Sequence, residues 1–177
     1  MCDRAQLALQ TVKGNYSQNW AYYDDKMRSA LIQEQEILRD MDTALEQNQF
    51  VVYFQPIFSA ATGKPRSAEA LVRWVHPEKG MLSPAIFIPI FEHNGFITKL
   101  DLYVWEKVCC FLSECMSRHE KVIPISVNIS RLNFYSDRLC DRLIETVEKY
   151  NVPPSLIRIE ITESAYTDNP KQLLDAM

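Results

Sequence analysis

The chain contains no cluster of lysine and arginine and no long hydrophobic run. Its net charge is −4 and its pI is about 5.4, so the basic face of a non-specific nucleic-acid binder is missing, and we expect no nucleic-acid partner. The most apolar stretch, residues 85–91, is too short to span a bilayer. The N-terminus lacks the basic segment and apolar core of a signal peptide. We expect a cytoplasmic segment without membrane contact, and upstream membrane domains in a parent protein stay open.

The cysteine pattern of a disulfide-linked or zinc-binding protein is also missing. The five cysteines are an odd number, and no two of them form a C-x-x-C pair. Cys109, Cys110 and Cys115 lie in an apolar helical run. Small buried hydrophobic side chains in a reducing compartment explain them better than a zinc site or disulfides do.

The composition is that of a globular protein, with 47% hydrophobic and 24% charged residues. Apolar side chains at intervals of three and four predict an amphipathic helix over residues 25–47. Two hypotheses for this helix stay open: a signalling or dimerising helix between two domains, or a helix packed on its own domain. Glu34 interrupts the apolar stripe and argues against a sustained coiled coil.

The order of the remaining elements predicts an α/β fold. Residues 50–58 form a first strand, and the connection to a second strand at 66–74 is too short for a crossover helix, so these two strands should be antiparallel. Alternation follows: helices at 83–94 and 98–118, a strand at 123–127, a helix at 136–150, a strand at 156–161 and the start of a helix near 169. Such alternation favours a parallel sheet with helices outside it, and four strands are predicted in all.

Polar side chains stand at or near the ends of three of these otherwise apolar strands. They are Glu69 and Arg73 in EALVRW, Asn128 in SVNIS, and Glu160 and Glu163 in IEITES. In a parallel α/β barrel the strand ends converge on the face where active sites form. Carboxylate and amide oxygens suit Mg²⁺ or Mn²⁺, and an arginine suits phosphate, so the set suggests metal-assisted phosphoester hydrolysis. The alternative, in which each polar residue only caps a strand or pairs with a helix, stays open on the pattern alone.

Several ordered motifs resemble the EAL-domain family of bacterial cyclic-di-GMP phosphodiesterases. They are VVYFQPIF, EALVRW, LSPAIFIPIFEHNGFI, SVNIS and IEITES, within residues 42–177. The spacing is similar too, with 59 residues from Glu69 to Asn128 and 32 from Asn128 to Glu160. The resemblance implies the first half of a TIM-like (β/α)8 barrel with an antiparallel first strand, preceded by the amphipathic linker helix. It also implies hydrolysis of cyclic di-GMP to the linear dinucleotide in second-messenger signalling, with a pair of divalent ions, Mg²⁺ or Mn²⁺.

The resemblance assigns roles to matching positions. It implies three metal ligands: Glu69, Asn128 and Glu160. Gln55 and Arg73 would contact the dinucleotide, Arg73 at a phosphate, and Glu163 would anchor a downstream loop. The family's Asp-Asp metal motif, lysine and general-base glutamate are expected beyond Met177. No general base is therefore assigned within the chain, and we expect the 177-residue chain alone to be inactive.

Residues 1–41 resemble, more weakly, the end of a GGDEF diguanylate-cyclase domain, through DRAQLALQTVKGNYS and AYYDD. We therefore expect the tail of a GGDEF-like domain at 1–24, a linker helix at 25–47 and the N-terminal part of an EAL domain at 48–177. A homodimer through the barrel or the linker helix is a further expectation. Two other functions stay open: a degenerate receptor or scaffold that binds cyclic di-GMP without cutting it, and a domain with neither activity that works through the linker helix.

Overall fold

The structure is a computed structural model, and it describes residues 4–6, 8–9 and 20–161. The chain divides into two compact units, residues 1–43 and 44–177. In the first unit, Asp24 precedes helix α1 (Asp25–Glu46) and its Oδ1 accepts a hydrogen bond from the backbone N–H of Lys26 at 3.1 Å. An aspartate at this place satisfies one of the free N–H groups of the first turn. The helix agrees with the predicted range, and its last three residues belong to the second unit.

A mixed sheet forms the centre of the second unit. Its five strands are β1 (Phe50–Phe58), β2 (Pro65–His76), β3 (Gly80–Leu82), β4 (Ile125–Ile129) and β5 (Ile157–Ile161). The strand order is β1-β2-β4-β5, and β3 pairs with β2 off this path. β1 runs antiparallel to β2, whereas β2, β4 and β5 are mutually parallel. The predicted antiparallel first strand and the parallel continuation of a partial TIM-like barrel are therefore confirmed.

Helices connect the parallel strands. They are α2 (Pro84–Asn94), α3 (Ile97–Ser117), the single turn α4 (Arg131–Phe134) and α5 (Leu139–Lys149), and a 3-10 turn at Pro154–Leu156 leads into β5. Gly95 ends α2 at φ +82°, a left-handed conformation that glycine adopts without a Cβ clash. Ser83 occupies the N-cap position of α2, but its side chain makes no capping hydrogen bond.

Three predicted details are wrong. The described part of the chain has five strands rather than four, because β3 is a short strand that exists only by pairing with β2. β4 begins two residues later than predicted, since Pro124 has no N–H to donate to a ladder. The predicted helix at 136–150 is shorter, and the separate turn α4 precedes it. Ser130 initiates that turn by accepting the N–H of Asn133 on its Oγ at 3.3 Å.

The two faces of the sheet differ in what covers them. α3 packs on one face, through the buried side chains Val104, Trp105, Val108, Cys109 and Leu112 against Ala68, Ala70, Ile125, Val127 and Ile129. A second apolar cluster joins β1 and β2 to α2, where the ring of Phe50 lies 5.0 Å from Trp74, 5.8 Å from Phe87 and 6.0 Å from Phe91. Side chains alternate along a strand, so the residues between those covered by α3 point to the opposite face. That opposite face carries the candidate site.

Candidate functional site

The three predicted metal ligands lie on one face of the sheet. Glu69 is the register partner of Ser126 on β4, and Asn128, two residues further on, is the partner of Glu160 on β5. Partners in a ladder and residues two apart in a strand share a face. The Nδ2 of Asn128 donates a hydrogen bond to the Oε1 of Glu69 at 3.1 Å. The structure thus brings together polar groups that lie 59 positions apart in the chain.

The donor set fits a hard divalent cation. As placed, the Asn128 amide turns its NH₂ toward Glu69, but a half-turn of the amide group exchanges Nδ2 and Oδ1 and would present the oxygen. Two carboxylates and an amide oxygen suit Mg²⁺ or Mn²⁺. Within residues 20–161, no group of three or more His, Cys, Asp and Glu side chains could hold a metal ion. An ion at this place would therefore need the amide of Asn128 together with Glu69 and Glu160.

The other predicted site residues lie around this pair. Gln55 on β1 is the register partner of Glu69 and is exposed on the same face. Arg73 is half-buried, and its guanidinium donates from Nη1 to the backbone oxygen of Val72 at 2.8 Å. Glu163 lies outside the described residues, so its loop-anchoring role stays a prediction.

β2 and β4 separate immediately beyond the site. Their ladder contains only the pairs Ala68–Ile125 and Glu69–Ser126, although both strands continue. A cavity of about 260 Å³ opens where they part. Its walls are mostly apolar, with polar groups from Arg73, Glu92, Asp101, Asn128 and Ser130. The cavity thus borders Asn128 and has Arg73 in its lining.

Comparison with known proteins identifies the chain's family. The sequence model of the EAL domain matches residues 38–177. This chain belongs to the EAL-domain family. The match includes the Glu69–Asn128 pair and Glu160, so the polar face described above lies in the part of the chain that defines the family.

Curated relatives of this EAL domain include two proteins of Pseudomonas aeruginosa. The chain is 28% identical over 160 residues to the bifunctional diguanylate cyclase/cyclic di-GMP phosphodiesterase MucR, covering 90% of this chain and 23% of MucR. It is 30% identical over 171 residues to the cyclic di-GMP phosphodiesterase NbdA, covering 96% of this chain and 22% of NbdA. It also spans 21% of the length of an uncharacterised signalling protein of Caulobacter vibrioides and 26% of that of a Synechocystis protein.

A solved structure supports the same assignment. The structure of the MucR phosphodiesterase in complex with c-di-GMP superposes with a TM-score of 0.74 at 30% identity. The superposition covers 80% of this chain and 57% of that one. The GGDEF-like tail predicted for residues 1–24 lies outside the matched EAL range and stays a prediction. Over the described residues, no helix of this EAL domain combines the length and apolarity needed to cross a membrane.

Sequence reasoning missed two residues that hold the end of β4 in this EAL domain. Trp105 on α3 donates its Nε1–H to the backbone oxygen of Asn128 at 3.3 Å. One turn earlier, Asp101 accepts at Oδ2 the backbone N–H of Ser130 and the Nδ2–H of Asn133, each at 2.9 Å. A signal was present in the sequence: Asp101 is an acidic residue on the apolar stripe of its helix. The other members of that stripe are Ile97, Leu100, Val104, Trp105 and Val108.

The environment of Asp101 is unusual for a carboxylate. Only 8% of its surface is exposed, and burial raises the pKa of its carboxyl group above the usual value. Hydrogen bonds from Ser130 and Asn133 act in the opposite direction on this pKa, but desolvation is the larger effect. A buried carboxylate of this kind is tolerated only when its oxygens are hydrogen-bonded, and here the donors belong to residues shortly after Asn128 in the chain.

Proposed function

We propose that the complete form of this EAL domain hydrolyses one phosphodiester bond of cyclic di-GMP and releases the linear dinucleotide. The observation that carries this proposal is the contact between Asn128 Nδ2 and Glu69 Oε1 at 3.1 Å, with Glu160 in register beside Asn128. Relatives named as cyclic di-GMP phosphodiesterases support the choice of substrate. The chain covers only part of those relatives, so the activity is proposed for the whole protein that carries it.

Glu69, Asn128 and Glu160 would hold Mg²⁺ or Mn²⁺ on the open face of the sheet. A bound divalent ion would supply Lewis-acid polarisation of the phosphoryl group and lower the pKa of the attacking water. The protein would fix the positions of these three side chains, because all three lie on paired strands rather than on loops. Strand-borne ligands are held in place by the ladder and by the core on the other face, which favours a fixed geometry.

Arg73 and the adjoining cavity would bind the nucleotide. The guanidinium of Arg73 is a planar group with several donors and can bind a phosphate through two hydrogen bonds once it leaves the oxygen of Val72. The cavity of about 260 Å³ has mostly apolar walls, which suits a flat aromatic base more than a sugar or phosphate. Gln55, exposed beside Glu69, would contact the dinucleotide from β1.

The test is hydrolysis by the full protein that carries this chain. Purified protein is incubated with cyclic di-GMP and Mn²⁺ or Mg²⁺, and products are separated by chromatography. We expect the linear dinucleotide to form only when metal is present. Tight binding of cyclic di-GMP without product, under both metals, would contradict the enzyme and indicate the receptor or scaffold function instead.

Two narrower statements belong to the same proposal. The chain covers 57% of the MucR phosphodiesterase chain, and this supports the expectation that the 177 residues alone do not turn over cyclic di-GMP. The four described cysteines, Cys109, Cys110, Cys115 and Cys140, are all free thiols. Unpaired cysteines agree with a reducing compartment, which supports a cytoplasmic location.

A further inference from the structure

The last residues of β4 do not pair with the neighbouring strand β2. The backbone N–H of Ala68 on β2 donates to the oxygen of Pro124 at 3.0 Å, so the backbone polar groups of Pro124 point toward β2. Residues two apart in a strand direct these groups to the same side, and Asn128 and Ser130 therefore point that way too. The β2–β4 ladder stops at Ser126. The oxygen of Asn128 and the N–H of Ser130 must find partners elsewhere.

α3 supplies both partners in place of β2. Trp105 donates to the oxygen of Asn128, and Asp101 accepts the N–H of Ser130. Asp101 and Trp105 are four positions apart, so they lie on the same face of the helix. Both are more than nine-tenths buried. The two contacts hold the main chain on either side of Ile129, which leaves the Asn128 side chain with little freedom to move along the strand.

Asp101 also fixes the turn that comes after β4. Its Oδ2 accepts from the Nδ2 of Asn133 as well as from Ser130, and Asn133 in turn donates its backbone N–H to the Oγ of Ser130. Hydrogen bonds to a carboxylate are stronger than neutral ones. The strand end, the turn α4 and the start of α3 are thus joined through a single buried carboxyl group.

We propose that Asp101 is a positioning residue for Asn128, which it holds through Ser130 in the place where its amide can serve as a metal ligand. The inference rests on the proposed function, because it takes Asn128 to be a ligand. Asp101 touches neither Glu69 nor Asn128 in the hydrogen bonds of the described residues, so its effect is indirect. Trp105 supports the same strand end from the next turn. Groups that orient metal ligands typically change metal affinity by about 10–100-fold when they are removed.

The experiment measures Mn²⁺ binding by the full protein that carries this chain, using the electron paramagnetic resonance signal of free Mn²⁺. We expect Asp101→Ala to weaken binding at the Glu69–Asn128 site about tenfold or more. Asp101→Asn keeps an oxygen that can accept the N–H of Ser130, and it should restore part of the affinity. Trp105→Phe keeps an aromatic ring but loses the N–H, and it should weaken binding to a smaller extent. The matched control is Glu106→Gln on the same helix, which removes an exposed ion pair with Lys149 and should leave binding unchanged.

Hydrolysis rates provide a second readout. Rates are measured at saturating cyclic di-GMP, because Asp101 also lines the cavity proposed for the nucleotide. Under these conditions, the Mn²⁺ concentration that gives half-maximal rate should rise for Asp101→Ala. A merely structural role would lower the amount of active protein without moving that concentration.

Each outcome has a definite meaning. Wild-type affinity for Mn²⁺ in a folded Asp101→Ala protein would overturn the inference. If circular dichroism shows Asp101→Ala to be unfolded, then unchanged binding in both Asp101→Asn and Trp105→Phe would overturn it. A wild-type protein that binds no Mn²⁺ would instead refute the metal site of the proposed function, which separates the two failures.

Discussion

Replacing Glu69 by glutamine tests the proposed chemistry with a minimal change. Glu69→Gln keeps the side-chain length and one oxygen that can accept the hydrogen bond from Asn128 Nδ2, now 3.1 Å from Oε1. It removes the negative charge. A hydrogen bond to a charged group stabilises by about 1.5–3 kcal/mol and one to a neutral group by about 0.5–1.5 kcal/mol. The half-buried position of Glu69 therefore limits the loss in folding free energy to about 1 kcal/mol.

The expected loss in hydrolysis is much larger. Metal ligation and the polarisation it provides contribute several kcal/mol to transition-state stabilisation, and about 4 kcal/mol corresponds to a thousandfold change in rate. We therefore expect Glu69→Gln to reduce kcat/KM by at least about 10³-fold. The melting temperature should fall by only a few degrees, since about 1 kcal/mol shifts it by roughly 2–8 °C depending on domain size.

The assay compares product formation and thermal unfolding on the same preparation of the full protein. Glu148→Gln is the matched control, because it makes the same chemical change at an exposed position on α5 and should alter neither quantity. Activity within tenfold of the wild type would refute the role of Glu69. So would a loss of activity that merely follows the loss of folded protein.

Three other predictions concern separate features. Arg73→Lys should raise KM for cyclic di-GMP with a smaller change in kcat, because an ammonium cannot bind a phosphate through a planar pair of donors; an unchanged KM would contradict the phosphate contact. Phe50→Ala should cost about 3–5 kcal/mol of unfolding free energy in urea, since Phe50 is 2% exposed and touches the rings of Trp74 and Phe91; a loss below about 1 kcal/mol would contradict this packing. Burial, and to a smaller extent the nearby Glu106, raises the pKa of the Cys109 thiol from 9.0 to about 11. The thiol of the unfolded chain therefore ionises at a lower pH than the thiol of the folded chain, and the free energy of unfolding should fall as pH rises from about 9 to 11. A Cys109→Ala protein measured alongside should show less of that decline, and an identical decline would contradict the assignment.

Local pattern was enough to predict most elements of this EAL domain. The amphipathic spacing in α1, the aromatic and β-branched run of β1 and the Ser-Pro start of α2 each indicate their structure within a few residues. Elements that depend on distant partners were missed. β3 is three residues long and has no signal apart from its pairing with β2. The position of β4 depends on Pro124, whose carbonyl joins the sheet although its nitrogen cannot.

Local pattern also predicted part of the candidate site. Glu69, Asn128 and Glu160 stand out because charged or amide side chains are unusual within short apolar strands. Their shared face follows from the alternation of side chains once the register is known. The role of Asp101 could not be read from its neighbours in sequence, since its partner Ser130 is 29 residues away. The acidic residue on the apolar stripe of α3 was visible in the sequence. Its role became clear only from the structure, where the end of β4 does not pair with β2 and Asp101 accepts the N–H of Ser130 instead.

The short ladder between β2 and β4 also has a consequence for how the sheet forms. β1 pairs with β2 along the whole length of β1, from Phe50–Trp74 to Phe58–Pro65, and β4 and β5 pair along their whole length. The ladder that joins these two blocks has two register pairs and links residues 57 positions apart. Contacts between distant residues carry the larger loop-closure cost and form late. The sheet should therefore assemble as two blocks that α3 brings together, and in native-state opening it should part between β2 and β4 while each block keeps its own strand pairs.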